Sequence, residues 1–373
     1  MKILTILGTR PEIIRLSEVI ALLDRQAEHV LVHTGQNFDA RLSDVFFDEL
    51  QVRAPDEHMG VRESGAAAQI GRILECAEQL LLKHRPDRLL ILGDTNSGLS
   101  AIIARRLGVP VYHMEAGNRC YDDRVPEEIN RRVIDHCSSV LMPYTERSRA
   151  NLLAEGIAGQ RIFVTGNPIR DVLDRHRDRV AASRVHAQLG IAPGKYLLAT
   201  FHRAENVDHE GRLRDLLQAF AQLHLKYVMP IVCSIHPRTR AKLESFGLSP
   251  DQGVRFAEPF GFADFVRLER DAFCTLSDSG TVQEETCIMG VANVTIREVT
   301  ERPETIECGS NILAGTAPDR ILDAVAIAVK PGRRWTPPAE YLQTGVADTV
   351  CRIVLGERVP DSAEREWQAR RRS

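Results

Sequence analysis

The sequence predicts an α/β protein with two doubly wound domains, each built on a parallel sheet. Short apolar segments rich in Val, Ile and Leu alternate with longer segments of helical period, a pattern typical of parallel strands joined by crossover helices. The alternation stops in a charged, Arg-rich stretch at 171–184 and then starts again. The length of 373 residues also fits two domains of roughly 100–200 residues each.

Apolar segments in both halves of the chain are candidate strands. They lie at 2–7, 30–33, 88–93, 109–114, 140–143 and 161–165, and then at 196–201, 230–235, 254–257, 273–277 and 293–296. We therefore expect one domain over 1–170 and another over 190–355, with a linker between about 170 and 195. The C-terminal segment at about 356–373 is a candidate for returning to the first domain.

Composition and charge exclude several classes of protein. The chain has 48 Lys and Arg against 51 Asp and Glu, a net charge of −3, and it is 43% hydrophobic, as ordinary globular proteins are. This balance argues against an extended nucleic-acid surface. No apolar run approaches the roughly 18 residues that span a bilayer. The first eight residues lead directly into Arg10 and Glu12 without an export signal, so we expect a cytoplasmic protein.

The eight cysteines predict neither structural zinc nor a disulfide framework. They form no C-x-x-C pair and fall mostly inside apolar segments. We therefore expect reduced core residues. Their positions are 76, 120, 137, 233, 274, 287, 308 and 351.

Polar motifs follow the candidate strands, where ligands of open α/β sheets bind. They are Gly8-Thr9-Arg10-Pro11-Glu12, Gly93-Asp94-Thr95, His113-Met114-Glu115-Ala116-Gly117-Asn118-Arg119, Phe201-His202-Arg203-Ala204-Glu205-Asn206, His236-Pro237-Arg238 and Ser277-Asp278-Ser279-Gly280-Thr281. Two sheets that face each other would bring these motifs into one interdomain cleft. The sequence lacks both the G-x-G-x-x-G motif after a strand and the P-loop motif, which disfavours dinucleotide dehydrogenases and P-loop enzymes.

The residue types at these strand ends suit a nucleotide diphosphate. The cationic or protonatable candidates for phosphate binding are Arg10, His202, Arg203, His236 and Arg302. The helix expected after Asp278 would offer backbone N–H groups to a phosphate. Thr281 and Glu284 match a capping box, which predicts a structural Glu284 and leaves its neighbour Glu285 to reach a ligand hydroxyl.

Carboxylates beside an anion site are suited to proton transfer, and Asp94, Glu115 and Glu127 are the candidates. Glu127 also fits a structural role, because Pro and acidic residues are favoured in the first turn of a helix. From the residues alone we predict an enzyme that acts on a nucleotide diphosphate.

These motifs also resemble the non-hydrolysing UDP-N-acetylglucosamine 2-epimerases over nearly the whole chain. Further matching motifs are Pro126-Glu127-Glu128-Ile129-Asn130-Arg131, Thr165-Gly166-Asn167-Pro168, His202-Arg203-x-Glu205-Asn206, Glu284-Glu285 and Glu301-Arg302-Pro303-Glu304. The resemblance implies two Rossmann-like domains in a glycosyltransferase-B-like fold, with the active site in the cleft between them. It implies a homodimer in polysaccharide biosynthesis, and neither a metal nor a redox cofactor.

The resemblance also implies a mechanism and residue roles. UDP is eliminated across C1–C2 of the sugar to give a 2-acetamidoglucal, and it adds back with a proton on the other face of C2. Asp94, Glu115 and Glu127 match the acid and base carboxylates, and His202 matches the essential histidine near the diphosphate. The residues expected to bind UDP or the sugar are Arg10, Arg15, Arg119, Arg203, His236, Ser279, Gly280, Glu285 and Arg302.

Three departures from the family pattern leave the substrate open. Arg15 replaces the usual Lys, and 34–39 lacks the His and Met of enzymes that UDP-GlcNAc activates, which predicts no sigmoidal activation. The short loop at 118–124, with Asp278-Ser279-Gly280-Thr281, is similar to the branch that makes UDP-N-acetyl-L-fucosamine from UDP-2-acetamido-2,6-dideoxy-L-talose.

The leading hypothesis is a UDP-GlcNAc/UDP-ManNAc 2-epimerase, with that L-fucosamine-type enzyme as the alternative. A hydrolysing relative that releases free ManNAc is a third hypothesis. A glycosyltransferase and a non-enzymatic nucleotide-sugar sensor stay open as other classes of function.

Overall fold

The computed structural model describes residues 1–35, 40–63 and 65–356. Residues 36–39, on which the prediction about activation partly rests, and 357–373, which include most of the segment expected to return to the first domain, lie outside this description. The chain forms two compact units. The first contains Met1–Arg175 and the chain from Glu340 onward, and the second contains His176–Ala339.

The first unit alternates strands and helices in the predicted manner. Its strands are β1 (Lys2–Leu7), β2 (Glu28–His33), β3 (Glu57–His58), β4 (Arg88–Leu92), β5 (Val111–Met114) and β6 (Val140–Met142). Its helices up to the boundary are α1 (Arg10–Gln26), α2 (Ala40–Glu49), α3 (Ala66–His84), α4 (Ser100–Leu107), α5 (Pro126–Cys137), α6 (Glu146–Ala154) and α7 (Ile169–Arg175), with short 3-10 turns at Asn96–Leu99 and Gly159–Arg161.

The second unit repeats this arrangement. Its strands are β7 (Leu197–Phe201), β8 (Ile231–Ile235), β9 (Val254–Ala257), β10 (Cys274–Ser277), β11 (Asn293–Thr295) and β12 (Asn311–Leu313). Its helices are α8 (Arg177–Ala182), α9 (Val185–Leu189), α10 (Ala204–Val207), α11 (Glu210–Tyr227), α12 (Pro237–Ser245), α13 (Phe262–Arg270), α14 (Gly280–Met289), α15 (Pro303–Glu307) and α16 (Pro318–Ala328). The chain then reaches a 3-10 turn at Ala339–Tyr341 and ends its described part in α17 (Val346–Gly356).

Both sheets are parallel and have the same strand order. The first runs β3-β2-β1-β4-β5-β6, and the second runs β12-β11-β10-β7-β8-β9, which is the same order counted within its own unit. This is the doubly wound order, in which the direction of strand addition reverses beside the first strand of each sheet. The predicted pair of doubly wound domains is therefore confirmed, and the order reverses between β1 and β4 and between β7 and β10.

The strands are apolar because helices cover both faces of each sheet. Leu4 and Ile6 of β1 are fully buried, as are Leu89 and Ile91 of β4. A parallel sheet buried on both faces needs nearly continuous apolar strands, which is why these segments were recognisable in the sequence.

The predicted strand at 161–165 was wrong. Its first residue ends the 3-10 turn Gly159–Arg161, and Ile162 forms one parallel bridge to Leu141. N–H groups of this segment still bond to the chain at β6, from Phe163 to Leu141 O and from Thr165 to Pro143 O, so it extends the sheet edge without becoming a strand. Strands β3 and β12 were not predicted, because their two and three residues are too few to give an alternating pattern.

The return to the first unit begins earlier than expected. Helix α17 fell inside the predicted second domain, yet it packs on α1, where Cys351 Sγ lies 3.7 Å from Val19 O. Asp171 fixes the start of this helix, because its two carboxylate oxygens accept from Gly345 N (2.8 Å) and Ala347 N (3.1 Å). No helix in the described ranges is long and apolar enough to cross a membrane.

Replacing Asp171 by Ala should lower the free energy of unfolding by about 1 kcal/mol, because two N–H groups at the start of α17 lose their acceptor. Asp171→Asn, which retains one oxygen, should lose less. Urea unfolding measures the effect. Asp174→Ala is the control, since Asp174 pairs with the partly exposed Arg170 in α7. Equal stability of the Asp171 and Asp174 variants would contradict the assignment.

Candidate functional site

Glu12 connects the loop after β1 to the loop after β4, the two strands where the order of the first sheet reverses. It is buried, and its Oε2 accepts from Gly8 N (3.0 Å) and from Thr9 N (2.7 Å). Its Oε1 accepts from Thr95 Oγ1 (3.0 Å). Burial raises the pKa of Glu12 to about 7, although these hydrogen bonds act in the opposite direction.

The two arginines in the first half of α1 lie at this edge of the sheet. Arg10 is the first residue of the helix, its guanidinium lies over the Phe46 ring, and burial holds its pKa below the usual value. Arg15 is one turn further along and is buried, with its Nε 3.9 Å from Glu115 Oε2. The structure therefore places one of the predicted cations beside a predicted acid or base.

Asp94 is held by α5. Arg131 donates from Nε to Asp94 Oδ2 (2.8 Å), and its Nη2 lies 2.6 Å from the same oxygen. Asn130 Nδ2 donates to the backbone oxygen of Asp94 (2.9 Å). About a fifth of the Asp94 side chain is exposed, so the carboxylate is fixed in position while still reaching the surface.

Glu115 follows β5 directly and has a left-handed backbone, with φ of +64°. This conformation costs a residue other than glycine on the order of 1–2 kcal/mol. Its N–H donates to Met142 O in β6 (3.1 Å), and Asn118 Nδ2 donates to its Oε1 (3.3 Å). Because these contacts hold the strained backbone, the carboxylate has a defined direction.

Glu127 lies at the second position of α5 and is half-buried. Its neighbour Glu128 is fully buried and accepts from Cys120 N (3.1 Å) and Tyr121 N (3.0 Å), and also from Arg131 Nη1 (2.6 Å). Burial opposes ionisation, but these donors hold the pKa of Glu128 below its usual value. Glu128 thus connects the loop between Glu115 and Glu127 to Arg131, the arginine that also holds Asp94.

Arg119 was expected to bind the substrate, and the structure contradicts this. Its side chain is fully buried and donates from Nε to Glu155 Oε1 (2.8 Å) and from Nη1 to Asn118 O (2.8 Å). Its Nη2 pairs with Glu155 Oε2 (2.6 Å) and with Asp135 Oδ2 (2.8 Å). These internal partners raise its pKa and leave no exposed surface for a phosphate.

Asp278 organises the edge of the second sheet, at the point where its strand order reverses. It follows β10, is fully buried, and accepts from His202 N (3.0 Å) and Arg203 N (2.9 Å) in the loop after the neighbouring β7. Asn206 Nδ2 donates to the same carboxylate (3.1 Å). His202 Nδ1 lies 3.3 Å from Asp278 Oδ1, and the His202 side chain is 43% exposed.

The two predicted histidines lie next to each other at this edge. The rings of His202 and His236 have centroids 6.2 Å apart. His236 is the N-cap of α12, and its Nδ1 accepts from Arg238 N (3.2 Å). A neutral His236 therefore carries its proton on Nε2.

Ser279 is the N-cap of α14 and Gly280 is its first residue. A Cβ at Gly280 would lie 2.7 Å from Glu301 Oε1, so this helix start is closely packed and has no room for a side chain there. The Oγ of Ser279 lies 3.0 Å from Thr281 Oγ1. Glu285 is buried in the second turn of the helix.

The capping box was predicted in the wrong place. Because α14 begins at Gly280, Thr281 is its second residue and cannot be the N-cap. Glu284 is structural for another reason, since it is fully buried and pairs with Arg302 Nε. Arg302 was expected to bind phosphate, yet its side chain is 5% exposed and this ion pair occupies it.

A further buried arginine, Arg297, supports the same region. It donates from Nε to Glu205 Oε1 (2.8 Å) and from Nη1 to Glu301 Oε2 (2.9 Å). Arg203 Nη2 in turn donates to Glu301 Oε1 (3.4 Å). Arg203 therefore already donates a hydrogen bond to a buried acid, Glu301, and Glu301 accepts from both Arg203 and Arg297.

The residues missed by sequence reasoning are those that hold the others in place, namely Glu12, Glu128, Arg131, Asp278, Arg297 and Glu301. Each lies inside a recognised motif or, for Arg297, directly after the last predicted strand of the second half. The usable signal was an acidic residue next to a predicted functional residue, as in Glu127-Glu128 and Asp278-Ser279. Within the described ranges, no group of three or more His, Cys, Asp or Glu is arranged to hold a metal ion.

The fold and the two edges define a two-domain α/β enzyme of the glycosyltransferase-B-like type, with carboxylates at one sheet and cations at the other. Residues 21–355 match the family model described as UDP-N-acetylglucosamine 2-epimerase. The chain belongs to the UDP-N-acetylglucosamine 2-epimerase family, and it is accordingly an epimerase.

Individual relatives agree with this assignment. The chain is 39% identical over 368 residues to UDP-N-acetylglucosamine 2-epimerase of Methanococcus maripaludis, covering 96% of this chain and all of the relative. It is 38% identical over 330 residues to UDP-2,3-diacetamido-2,3-dideoxy-D-glucuronate 2-epimerase of Pseudomonas aeruginosa, covering 87% and 91% of the two chains. A crystal structure of Methanocaldococcus jannaschii UDP-GlcNAc 2-epimerase in complex with UDP-GlcNAc and UDP superimposes with a TM-score of 0.91, at 38% identity and over 96% of this chain and all of that one.

Replacing Asp278 by Asn should loosen the loop at 202–203, because an amide retains one oxygen where the carboxylate serves several donors. We expect amide hydrogen exchange in a peptide covering 202–207 to become roughly tenfold faster, equivalent to about 1.4 kcal/mol. Mass spectrometry measures this. Asp251→Asn, on the exposed surface of the same unit, is the control. Unchanged exchange in the Asp278 variant would show that the backbone holds this loop by itself.

Proposed function

We propose that the protein interconverts UDP-GlcNAc and UDP-ManNAc by eliminating UDP and adding it back. The observation that carries the proposal is the placement of two carboxylates at neighbouring strand ends. Leu92 of β4 pairs with Met114 of β5, and Asp94 and Glu115 follow these strands within two residues. Neighbouring strands lie about 5 Å apart, so both acids can reach one small group.

The chemistry requires such a pair. A C2 proton beside an acetal carbon is not acidic unless the group at C1 departs. One carboxylate removes the proton while UDP leaves, which gives the 2-acetamidoglucal, and a second acid returns a proton to the opposite face of C2 as UDP adds back. Asp94 and Glu115 are the first candidates, and Glu127 is the third.

The environments of the acids support different roles in this proposal. Asp94 is the acid that a guanidinium, that of Arg131, holds in place, and we propose it as the base. Glu115 is 3.9 Å from Arg15 Nε and accepts a hydrogen bond from Asn118. Glu127 lies in the first turn of α5, where the helix dipole favours negative charge.

The second unit is the proposed UDP site. The start of α14, with Ser279 as its N-cap and Gly280 as its first residue, offers backbone N–H groups to a phosphate. His202 and His236, whose rings are neighbours, are proposed to contact the diphosphate and stabilise the departing UDP. Ser279 and Glu285 lie on the same helix, and we propose Glu285 for the ribose hydroxyls.

The identity of the sugar is a separate question. The relatives include an enzyme named for UDP-2,3-diacetamido-2,3-dideoxy-D-glucuronate, which makes that sugar a competing substrate. UDP-2-acetamido-2,6-dideoxy-L-talose is the second alternative, supported by the loop at 118–124. Cytoplasmic location, a homodimer and a role in polysaccharide biosynthesis remain predictions that rest on the sequence and the family resemblance.

Proton NMR of each of the three UDP-sugars with the enzyme in deuterated buffer tests the function. Loss of the C2 proton of UDP-GlcNAc with growth of UDP-ManNAc signals would establish reaction and substrate together. Exchange of the C2 proton in only one of the other two UDP-sugars would assign that sugar as the substrate. Release of free sugar would indicate a hydrolysing enzyme, and exchange in none of them would contradict the proposal.

Asp94→Asn and Glu115→Gln should each lower kcat by about 10²–10⁴-fold, because each removes a proton-transfer group. UDP affinity should change little. The measurements are steady-state kinetics and calorimetric titration with UDP. Asp174→Asn, which removes a partly exposed carboxylate paired with Arg170, is the matched control. Normal turnover in both active-site variants would exclude these residues from proton transfer.

His202→Ala should reduce kcat and weaken UDP binding by roughly tenfold or more, because a hydrogen bond to a charged phosphate is lost. The same kinetic and calorimetric measurements apply. His209→Ala, at an exposed histidine in the same unit, should leave both quantities unchanged. Identical behaviour of the two variants would rule out the diphosphate role of His202.

A further inference from the structure

A buried histidine outside the predicted site contacts the loop that carries Asp94. His113 is the third residue of β5 and is 1% exposed. Its Nε2 lies 2.9 Å from Gly93 O, immediately before Asp94 in the chain. The N–H of Gly93 donates to Met114 O (3.0 Å), so both backbone polar groups of this glycine are held from β5.

The other end of the histidine leads to the turn that carries Glu115. His113 Nδ1 lies 2.9 Å from Oδ1 of Asp135, a fully buried residue of α5. Oδ2 of Asp135 accepts from Gly117 N (3.1 Å), two residues after Glu115. A continuous path of hydrogen bonds therefore runs from Gly93 through His113 and Asp135 to Gly117.

Both polar partners of the His113 ring are oxygens. A carbonyl oxygen can only accept, and so can an ionised carboxylate. Burial favours a neutral Asp135, but His113 and Arg119 hold its pKa below the usual value. The charged groups around the ring are Asp135 from α5, Arg119 from the loop after β5 and Glu155 beyond it.

We propose that His113 is a positioning residue for the epimerisation: by hydrogen bonding through both ring nitrogens, it fixes the Gly93–Asp94 loop relative to the turn that carries Glu115. The inference rests on the proposed function, because that reaction needs both acids at a fixed separation around C2. Misplacing a reacting group by about 1 Å can cost on the order of 10²-fold in rate. His113 itself lies beneath the site and does not touch the substrate.

Two substitutions separate the two ends of the path. His113→Asn retains an amide nitrogen near the position of Nδ1 and loses the bond to Gly93. His113→Gln places its amide nitrogen near the position of Nε2 and loses the bond to Asp135. Each should lower kcat by roughly 10–100-fold, with KM and the Kd for UDP within about threefold of wild type. His136→Asn and His136→Gln, at an exposed histidine of α5, are the matched controls.

A purely structural role would give a different result. Urea unfolding of each variant identifies conditions in which at least about 95% is folded, and kcat is measured there. If the variants lose stability but keep kcat within about twofold of wild type, His113 is not a positioning residue. Nitrogen NMR of the enzyme with labelled histidine gives a second readout. We expect both His113 ring nitrogens to be hydrogen-bonded, and a ring nitrogen without a hydrogen bond would overturn the arrangement.

The outcome for His113 is distinguishable from that of the proposed function. Absence of C2 exchange in the wild-type protein with all three UDP-sugars contradicts the function. An active wild type with fully active His113 variants contradicts only the positioning role. The ring-nitrogen spectrum tests the two hydrogen bonds of His113 in either case, because it needs no substrate.

Discussion

Loops at the carboxyl edge of a parallel sheet have left the strand ladder, and their N–H groups need other acceptors. In this protein buried carboxylates supply them. Glu12 accepts from Gly8 and Thr9, Glu128 from Cys120 and Tyr121, and Asp278 from His202 and Arg203. The loops that carry Arg10, Asp94, Glu115 and His202 each bond to one of these acids or to Asp135. Buried groups, which the solvent does not reach, therefore hold these proposed active-site loops in position.

Burying charges is unfavourable unless they are paired, and arginines pair several of these acids. Arg131 lies between Asp94 and Glu128, Arg297 between Glu205 and Glu301, and Arg119 between Asp135 and Glu155. Two arginines that the sequence suggested as ligands of the substrate, Arg119 and Arg302, belong to this internal set. The distinction is one of geometry, because a guanidinium that already binds carboxylates in a buried position has few donors left for a phosphate.

The sequence predicted the fold class and most strands because a doubly buried parallel strand leaves an unmistakable apolar run. It failed where that signal is absent, at the two-residue β3, at β12, and at 161–165, which is apolar enough for a strand but bonds to β6 only in part. Strand-end position was enough to propose Asp94, Glu115 and His202 as site residues. It could not show which arginines point outward, and it could not reveal a path such as Gly93–His113–Asp135–Gly117, since its members are distant in the chain and meet only after folding.

The route of the chain has a consequence for how the protein is made. The first unit needs α17, which packs on α1, but the whole of His176–Ala339 is synthesised between the two. A ribosome adds about 5–20 residues per second, so α1 exists for many seconds before its partner emerges. The second unit is continuous in sequence and can fold during that interval. The nascent protein therefore passes through a stage in which its later half is finished and its earlier half still exposes the apolar face that α17 will cover, a stage at which chaperones would bind.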